Sequence, residues 1–259
     1  MRIVTATRYV TPLREGGSLP ALVEADDSGL YVLKFRGAGQ GPRALVAEWV
    51  AGELARAAGL RLPEIVGVTV DPALGRNEPD SEIRDLLKAS AGLNLGLDWL
   101  PGSFTFDPIV GPAPSADEAS DIVWFDAWTS NVDRTARNPN LLWWHRQLWL
   151  IDHGAALYFH HAWADEEARR RSPFAAVRDH VLLPWASALA AANERLRARL
   201  TDAVIRDVLA GIPDAWLEGE DRFADPDAHR AAYARHLSER RDAAHVFLEE
   251  AERVRANLV

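Results

Sequence analysis

The stretch NVDRTARNPNLLWWHRQLWLIDHGAAL, residues 131–157, sets two short apolar runs on either side of a polar turn and places Asp133, Asn138 and Asp152 at their outer ends. NLLWW and LWLID, separated by His145, Arg146 and Gln147, have the length and spacing of a β-hairpin. In that fold the second strand returns Asp152 to the loop that carries Asp133 and Asn138. Trp143, Trp144 and Trp149 would pack the hairpin against neighbouring helices, and Gly154 would let the backbone turn sharply after Asp152. A plainer alternative stands beside this one: Asp133 and Asn138 also suit an Asx-turn, and Asp152 also suits an ordinary strand end.

Outward from this stretch the chain changes character. Before it, a helix is expected over about 115–129, preceded by the apolar LNLGLDWLPG, in which Pro101-Gly102 marks a boundary between a first lobe, 1–100, and a second, 101–259. RIVTATRYV, LPALVEA and LYVLKF alternate like strands, the last two joined by the turn signal Asp26-Asp27-Ser28-Gly29. A helix over Pro42–Ala58, ended by Gly59, and a strand over Ile65–Val70 follow. The polar segment after Asp71 reads as a surface loop with a short helical piece. Beyond the hairpin, Trp185, Leu189, Leu196, Leu200, Val204 and Val208 recur at helical spacing, as do Leu237, Ala244, Leu248, Ala251 and Leu258. The expected architecture is α+β, with a small antiparallel sheet and one helix first and a mostly helical part after it.

Composition removes several functions. With 38 acidic against 29 basic residues the formal charge is −9, a poor match for nucleic acid or an anionic membrane surface. The absence of cysteine excludes disulfides, thiolate metal sites and a thiol nucleophile. No apolar run approaches the roughly 18 residues of a membrane span, and the N-terminal residues do not read as a signal peptide, so a cytoplasmic location is expected. His145, His153, His160 and His161 do not have clean zinc-ligand spacing. Neither a Gly-x-Ser-x-Gly elbow nor a complete dinucleotide fingerprint is present.

Two carboxylates and an amide brought together suit phosphoryl transfer, in which a protein positions a hydroxyl and offsets the charge of polyphosphate oxygens. One carboxylate orients and deprotonates the hydroxyl, while an amide oxygen and a second carboxylate, hard oxygen donors, suit Mg²⁺. In the first lobe Lys34 ends the most strand-like run, YVLKF, where a lysine contacts nucleotide phosphates and a glutamate on the next helix holds it. Glu48, with Ala44 and Gly52 one turn away on a small-residue face, is the candidate partner. The alternative for both is a solvated surface charge. Gly16, Gly17 and Ser18 lie between two strands, where backbone amides face phosphates or simply turn a hairpin. Trp99 sits at the junction, where adenine would meet backbone or where a linker strand merely passes.

Taken together, Lys34, Glu48, the junction ending LPG, then FDAWTSNVDRTARNPNLL and LWLIDHG resemble the HipA-like kinases, over about residues 15–160. The resemblance implies a two-lobed protein-kinase-like fold that binds ATP and Mg²⁺ between its lobes. It implies Asp133 as catalytic base, Asn138 and Asp152 as Mg²⁺ ligands, Lys34 as the phosphate contact and Glu48 as its partner. The acceptor it implies is a protein Ser or Thr, Ser18 of this chain included. A small-molecule acceptor, as in aminoglycoside or lipid kinases, or a nucleotide-binding module without turnover, are the alternatives. Asn131-Val132 stands before Asp133 where eukaryotic protein kinases have His-Arg, and His153 replaces the Phe of their Asp-Phe-Gly. Arg134 and Arg137 flank the base, as contacts to phosphate or as salt-bridged surface groups, and Asp126 would buttress the loop by hydrogen bonds.

Overall fold

The computed structural model describes residues 1–13, 19–39, 41–76 and 78–258. Five strands, β1 (Ile3–Pro12), β2 (Ala21–Ala25), β3 (Leu30–Lys34), β4 (Ile65–Val70) and β5 (Gly92–Asp98), close into a barrel in the order β1-β2-β3-β5-β4. Four of the seams are antiparallel, but β1 closes the ring against β4 in parallel, with Ile3 opposite Gly67 and Thr5 opposite Thr69. The expected small antiparallel sheet is therefore a closed, mixed one. Alternation along the strands points Val4, Ala6, Val23, Tyr31, Leu33, Val66 and Val68 inward to form the barrel's own core.

The helix between β3 and β4, α1 (Pro42–Ala58), has the expected bounds: proline opens it, and Gly59 closes it at φ 88°, donating its N–H to the carbonyls of Ala55 and Arg56. A second helix, α2 (Ser81–Ala89), occupies the segment read as a loop. Asp80 caps it by accepting from the Glu82 N–H, and Ile83 and Leu87, one turn apart, bury into the barrel core. Among the described residues of the first hundred there are thus two α-helices rather than one.

After β5 a small sheet forms in the order β6 (Phe104–Thr105), β7 (Leu141–Trp144), β8 (Gln147–Leu150), with α3 (Ala116–Thr129) lying between β6 and β7 in the chain. Ser115 caps α3 through the Glu118 N–H. The β7–β8 turn is only His145-Arg146, both at positive φ (47° and 63°), and Gln147 already pairs with Trp144. Five helices complete the chain: α4 (Glu166–Arg170), α5 (Leu189–Arg199), α6 (Asp202–Ala210), α7 (Pro226–Asp242) and α8 (Ala244–Ala256). Each of the two long apolar stripes is split. Trp185 sits in a 3₁₀ turn ahead of α5, and the chain breaks at Leu200, where Thr201 caps α6 through the Val204 N–H. The second stripe breaks at Ala243, between α7 and α8. Apolar residues of α1 share one continuous core with α3 and α5 to α8. Among the described residues no helix is long and apolar enough to cross a membrane.

Candidate active site

Period-two alternation sets Lys34, at the end of β3, on the outer face of the barrel, where α1 crosses it. Its Nζ lies 2.7 Å from Asp152 Oδ1 and 3.9 Å from Glu48 Oε2. Neither Lys34 nor Glu48 is a solvated surface charge: their side chains are 12% and 1% exposed. Glu48 also accepts the backbone N–H of His153 on Oε1 at 3.0 Å, which ties α1 to the residue after Asp152. Burial works against the charge on Lys34, and the carboxylates of Asp152 and Glu48 more than reverse this, so its ammonium is held above the ordinary lysine range. Burial likewise pushes the Asp152 carboxyl up, and Lys34 overturns that and keeps it below the usual range.

Asp152 follows β8 with φ 54°, a left-handed backbone that Asp and Asn tolerate better than other side chains. The sharp turn belongs to Asp152 itself and not to Gly154, whose φ is not positive. The hairpin delivers Asp152 because Ile151 N–H continues the pairing onto the Asn140 carbonyl (3.1 Å), and Leu157 N–H then anchors the chain on the Thr129 carbonyl at the end of α3 (2.7 Å). Trp143 is buried; Trp144 and Trp149 meet edge to face at 5.0 Å, and Trp144 Nε1 donates to the Pro101 carbonyl at 3.0 Å.

Asp133 sits in the loop after α3. That loop is built on a buried carboxylate, Asp126, in the buttressing role expected of it. Asn131 Nδ2 donates to Asp126 Oδ1 (3.0 Å), Arg134 Nε to Oδ2 (2.5 Å) and His180 to Oδ2 (3.0 Å). The Leu182 N–H donates to His180 Nδ1 at 3.1 Å, so the ring's proton is on Nε2, facing Asp126. Burial alone would raise the Asp126 carboxyl; Arg134 and His180 instead hold it well below the usual range. Arg134 therefore turns inward, bonding Asp126 and the Asn140 carbonyl (2.5 Å), and does not reach toward a phosphate. Arg137 is exposed.

Asn138 Nδ2 donates to Asp133 Oδ2 at 2.8 Å, and Asn140 Nδ2 reaches the same oxygen at 3.4 Å and the Asp133 carbonyl at 3.2 Å. A carboxylate only accepts, so the nitrogen of the Asn138 amide faces Asp133 and its Oδ1 is left over as a donor atom for a cation. Among the described residues, Asp133 Oδ1 takes no hydrogen bond. Burial pushes the Asp133 carboxyl up, the charge of Asp152 adds to this, and the amides of Asn140 and Asn138 offset part of it.

The structure thus brings Lys34, Glu48 and Asp152 into contact, with Asp133 and Asn138 paired to each other and Asp133 electrostatically coupled to Asp152. Trp99 stands at the end of β5, but its N–H is committed to the Leu30 carbonyl (2.9 Å), so that group does not face an adenine. Gly16, Gly17 and Ser18 lie outside the described residues. Asn131, Asn140 and His180 went unread in the sequence. The Asn-Pro-Asn spacing was a visible signal for Asn140, whereas nothing local marks His180, 54 residues from Asp126.

Among the described residues, no group of three or more His, Asp and Glu side chains converges on a metal position. The donors present are instead an amide oxygen, on Asn138, and an ionised carboxylate, on Asp152. These fit a hard divalent ion that completes its shell with phosphate oxygens and water. A separate concavity lined by Leu60, Arg61, Glu118, Trp143 and Leu148 contains none of Lys34, Glu48, Asp133, Asn138 and Asp152.

Breaking the Asp126 anchor gives the clearest stability test. Replacing Arg134 with Met leaves a buried carboxylate unpaired, which costs on the order of 3–5 kcal/mol, and the unfolding midpoint in urea should fall accordingly. Because Asp126 is held low in the folded protein, its stabilisation is complete above the ordinary carboxylate range and drains away as acid lowers the pH below it. The variant should therefore lose the share of the acid-dependent change in stability that Asp126 contributes. An unchanged midpoint would rule out Arg134 as the charge that holds this loop.

A HipA-like kinase family model matches residues 7–247. Solved structures similar to the chain include a Helicobacter pylori proinflammatory kinase, CtkA, at 13% identity and TM-score 0.61, with 98% of each chain covered. They also include the Golgi casein kinase, at 11% identity and TM-score 0.50 over 97% of this chain and 73% of that one. The same kinase with Mn/ADP bound matches at 13% identity and TM-score 0.53, over 100% and 76%. At these identities the likeness speaks for the fold, a mixed α and β one with its sheet first and its helices after. A search of curated proteins finds no match.

Proposed function

The chain belongs to the HipA-like kinase family, and from that premise we propose that Lys34, Glu48, Asp133, Asn138 and Asp152 form its phosphotransfer site. The protein is an ATP-dependent kinase that transfers the γ-phosphoryl group to a hydroxyl. The observation that carries the site reading is the position of Lys34 Nζ, 2.7 Å from Asp152 and 3.9 Å from Glu48, three residues from a strand, a helix and the end of a hairpin. We keep the division at Pro101-Gly102, so that Lys34 stands on one wall of the nucleotide crevice and Asp133, Asn138 and Asp152 on the other.

Asp133 Oδ1 accepts the proton of the incoming hydroxyl, whose oxygen forms a bond to the γ-phosphorus as the bond to the β,γ-bridging oxygen breaks and ADP leaves with that electron pair. Asn138 and Asn140 hold Oδ2 and so aim Oδ1 outward. Lys34 turns its charge toward phosphate, and Glu48 keeps the ammonium in place. Bound Mg²⁺, held by Asn138 Oδ1 and Asp152, would supply charge neutralisation of the phosphate oxygens.

We assign the acceptor as a protein Ser or Thr. Val132, Ala136, Arg137 and Asn138, around the base, are exposed, which suits a hydroxyl presented from a macromolecular surface. A cytoplasmic setting, where ATP is supplied, completes the reading. The test is thermal-shift titration with Mg·ATP followed by transfer of labelled phosphate to protein, peptide and aminoglycoside acceptors and to the chain itself. Stabilisation with labelling of Ser or Thr is expected, whereas labelling of the aminoglycosides alone would overturn the acceptor assignment.

A further inference from the structure

On α1, Glu48 faces the barrel together with Ala44 and Gly52, whose own closeness to the sheet is plain: a Cβ on Gly52 would stand 2.3 Å from Ile65 Cδ1. The other side of the same helix is fastened to the helical part of the protein at three heights. In the first turn Arg43 Nη2 bonds Glu220 Oε2 at 2.7 Å. Midway, Trp49 Nε1 donates to the Val208 carbonyl near the end of α6 at 3.1 Å, and its ring lies over Gly211. A Cβ on Gly211 would be 2.6 Å from Trp49 Cζ2, and since φ there is −77° the position requires glycine for room and not for torsion. Past the last turn Arg199 Nη1 donates to the Ala58 carbonyl at 2.5 Å. The cluster inside the barrel contains no residue of α1; the helix packs outside it, sharing one core with Ile65, Leu95 and Leu97 of the barrel and with the C-terminal helices.

We infer that Trp49, Arg43 and Gly211 are positioning residues for phosphotransfer: they make α1 part of the helical half, so that Glu48 and Asp152 form one frame against which Lys34, carried by the barrel, is brought into register. The hydrogen bond from the His153 N–H to Glu48 closes that frame from within. In this arrangement no swing of α1 is needed to bring the glutamate to the lysine. The inference rests on the reading of Glu48 as the partner of Lys34.

The test is a double-mutant cycle in the full chain, with kcat/KM for transfer as the readout. Gly211→Ala displaces the Trp49 ring and should lower kcat/KM by about tenfold, and Glu48→Gln by about a hundredfold. If the pins act through Glu48, the double variant falls no further than Glu48→Gln alone, within about twofold, whereas a general loss of structure would multiply the two effects. Should Gly211→Ala fail to fold, Arg43→Gln, a change at a half-exposed side chain, takes its place in the cycle with an expected loss of about threefold. Multiplying losses would overturn the inference, as would undiminished activity in both Gly211→Ala and Arg43→Gln beside an impaired Glu48→Gln. A fully active Glu48→Gln would instead overturn the reading of the site, and this inference with it.

Discussion

With Asp133 replaced by Ala, the protein should bind Mg·ATP almost as before and transfer phosphate more slowly by about 10² or more, because positioning and proton acceptance act mainly in the transition state. The geometry sharpens this. Oδ2 of Asp133 is occupied by two amides and Oδ1 by none of the described residues, so the truncation removes an open carboxylate oxygen from the loop. Asn138 and Asn140 lose a shared partner at the surface of the loop, while the buried anchor on Asp126 is untouched. Single-turnover transfer and nucleotide titration, run on the same preparation, separate the two effects. The native enzyme adds a further sign. Burial and Asp152 hold the Asp133 carboxyl above its ordinary range, so activity should be present while it is ionised and fall off, as pH drops, at a higher pH than an unperturbed aspartate would give. Full turnover in Asp133→Ala would leave the base unassigned.

Asp152→Asn should be more severe, since transfer is expected to disappear and the stabilisation by Mg·ATP to shrink. Asn keeps the left-handed backbone that this position adopts at φ 54°, so the loop is preserved and only the charge is removed. That charge has two uses. In the proposed site it is the ionised donor for the cation, and in the structure it is the 2.7 Å partner of the Lys34 ammonium, which in the variant keeps Glu48 at 3.9 Å. Affinity for Mg·ATP should weaken by about tenfold or more. Isothermal titration checks this, with a circular dichroism melt as control for the fold. Native affinity in a folded Asp152→Asn protein would remove Asp152 from the metal site.

Local chemistry explains which parts of this were readable in advance. Pro42 and Gly59 bracket α1 because each carries its signal in its own backbone preference, and Ile65–Val70 stands out by apolar continuity. α2 had its signals too, Asp80 as cap with Ile83 and Leu87 at helical spacing, but they were outweighed by the polarity of the segment. The closure of the barrel was not readable, because Ile3 meets Gly67 through pairing that no neighbouring residue announces. The splits at Leu200 and Ala243 escaped because apolar spacing runs on across a tight corner between two helices. In the candidate site, strand and helix periodicity places Lys34, Glu48 and Asp152, while Asp133 and Asn138 stand out by their spacing and take their roles from the family resemblance. Of the two readings of Arg134 the salt bridge holds and the surface position does not, because sequence shows a charge but not that its partner Asp126 is buried. The use of the Trp99 amide by Leu30 is likewise a product of strand pairing between distant segments.

Closing five strands into a ring has a bearing on how this protein behaves when concentrated or warmed. Where the ring closes, Ile3–Thr5 against Gly67–Thr69, both strand edges are taken up by pairing, so amyloid-type growth has no foothold along that seam. In the three-stranded sheet one outer side is already engaged, where the Leu150 N–H meets the Arg61 carbonyl. On its other outer side the strip Phe104–Thr105 has two residues, too brief to seed a fibril, so clumping of the native form is not expected to start from a backbone ladder there.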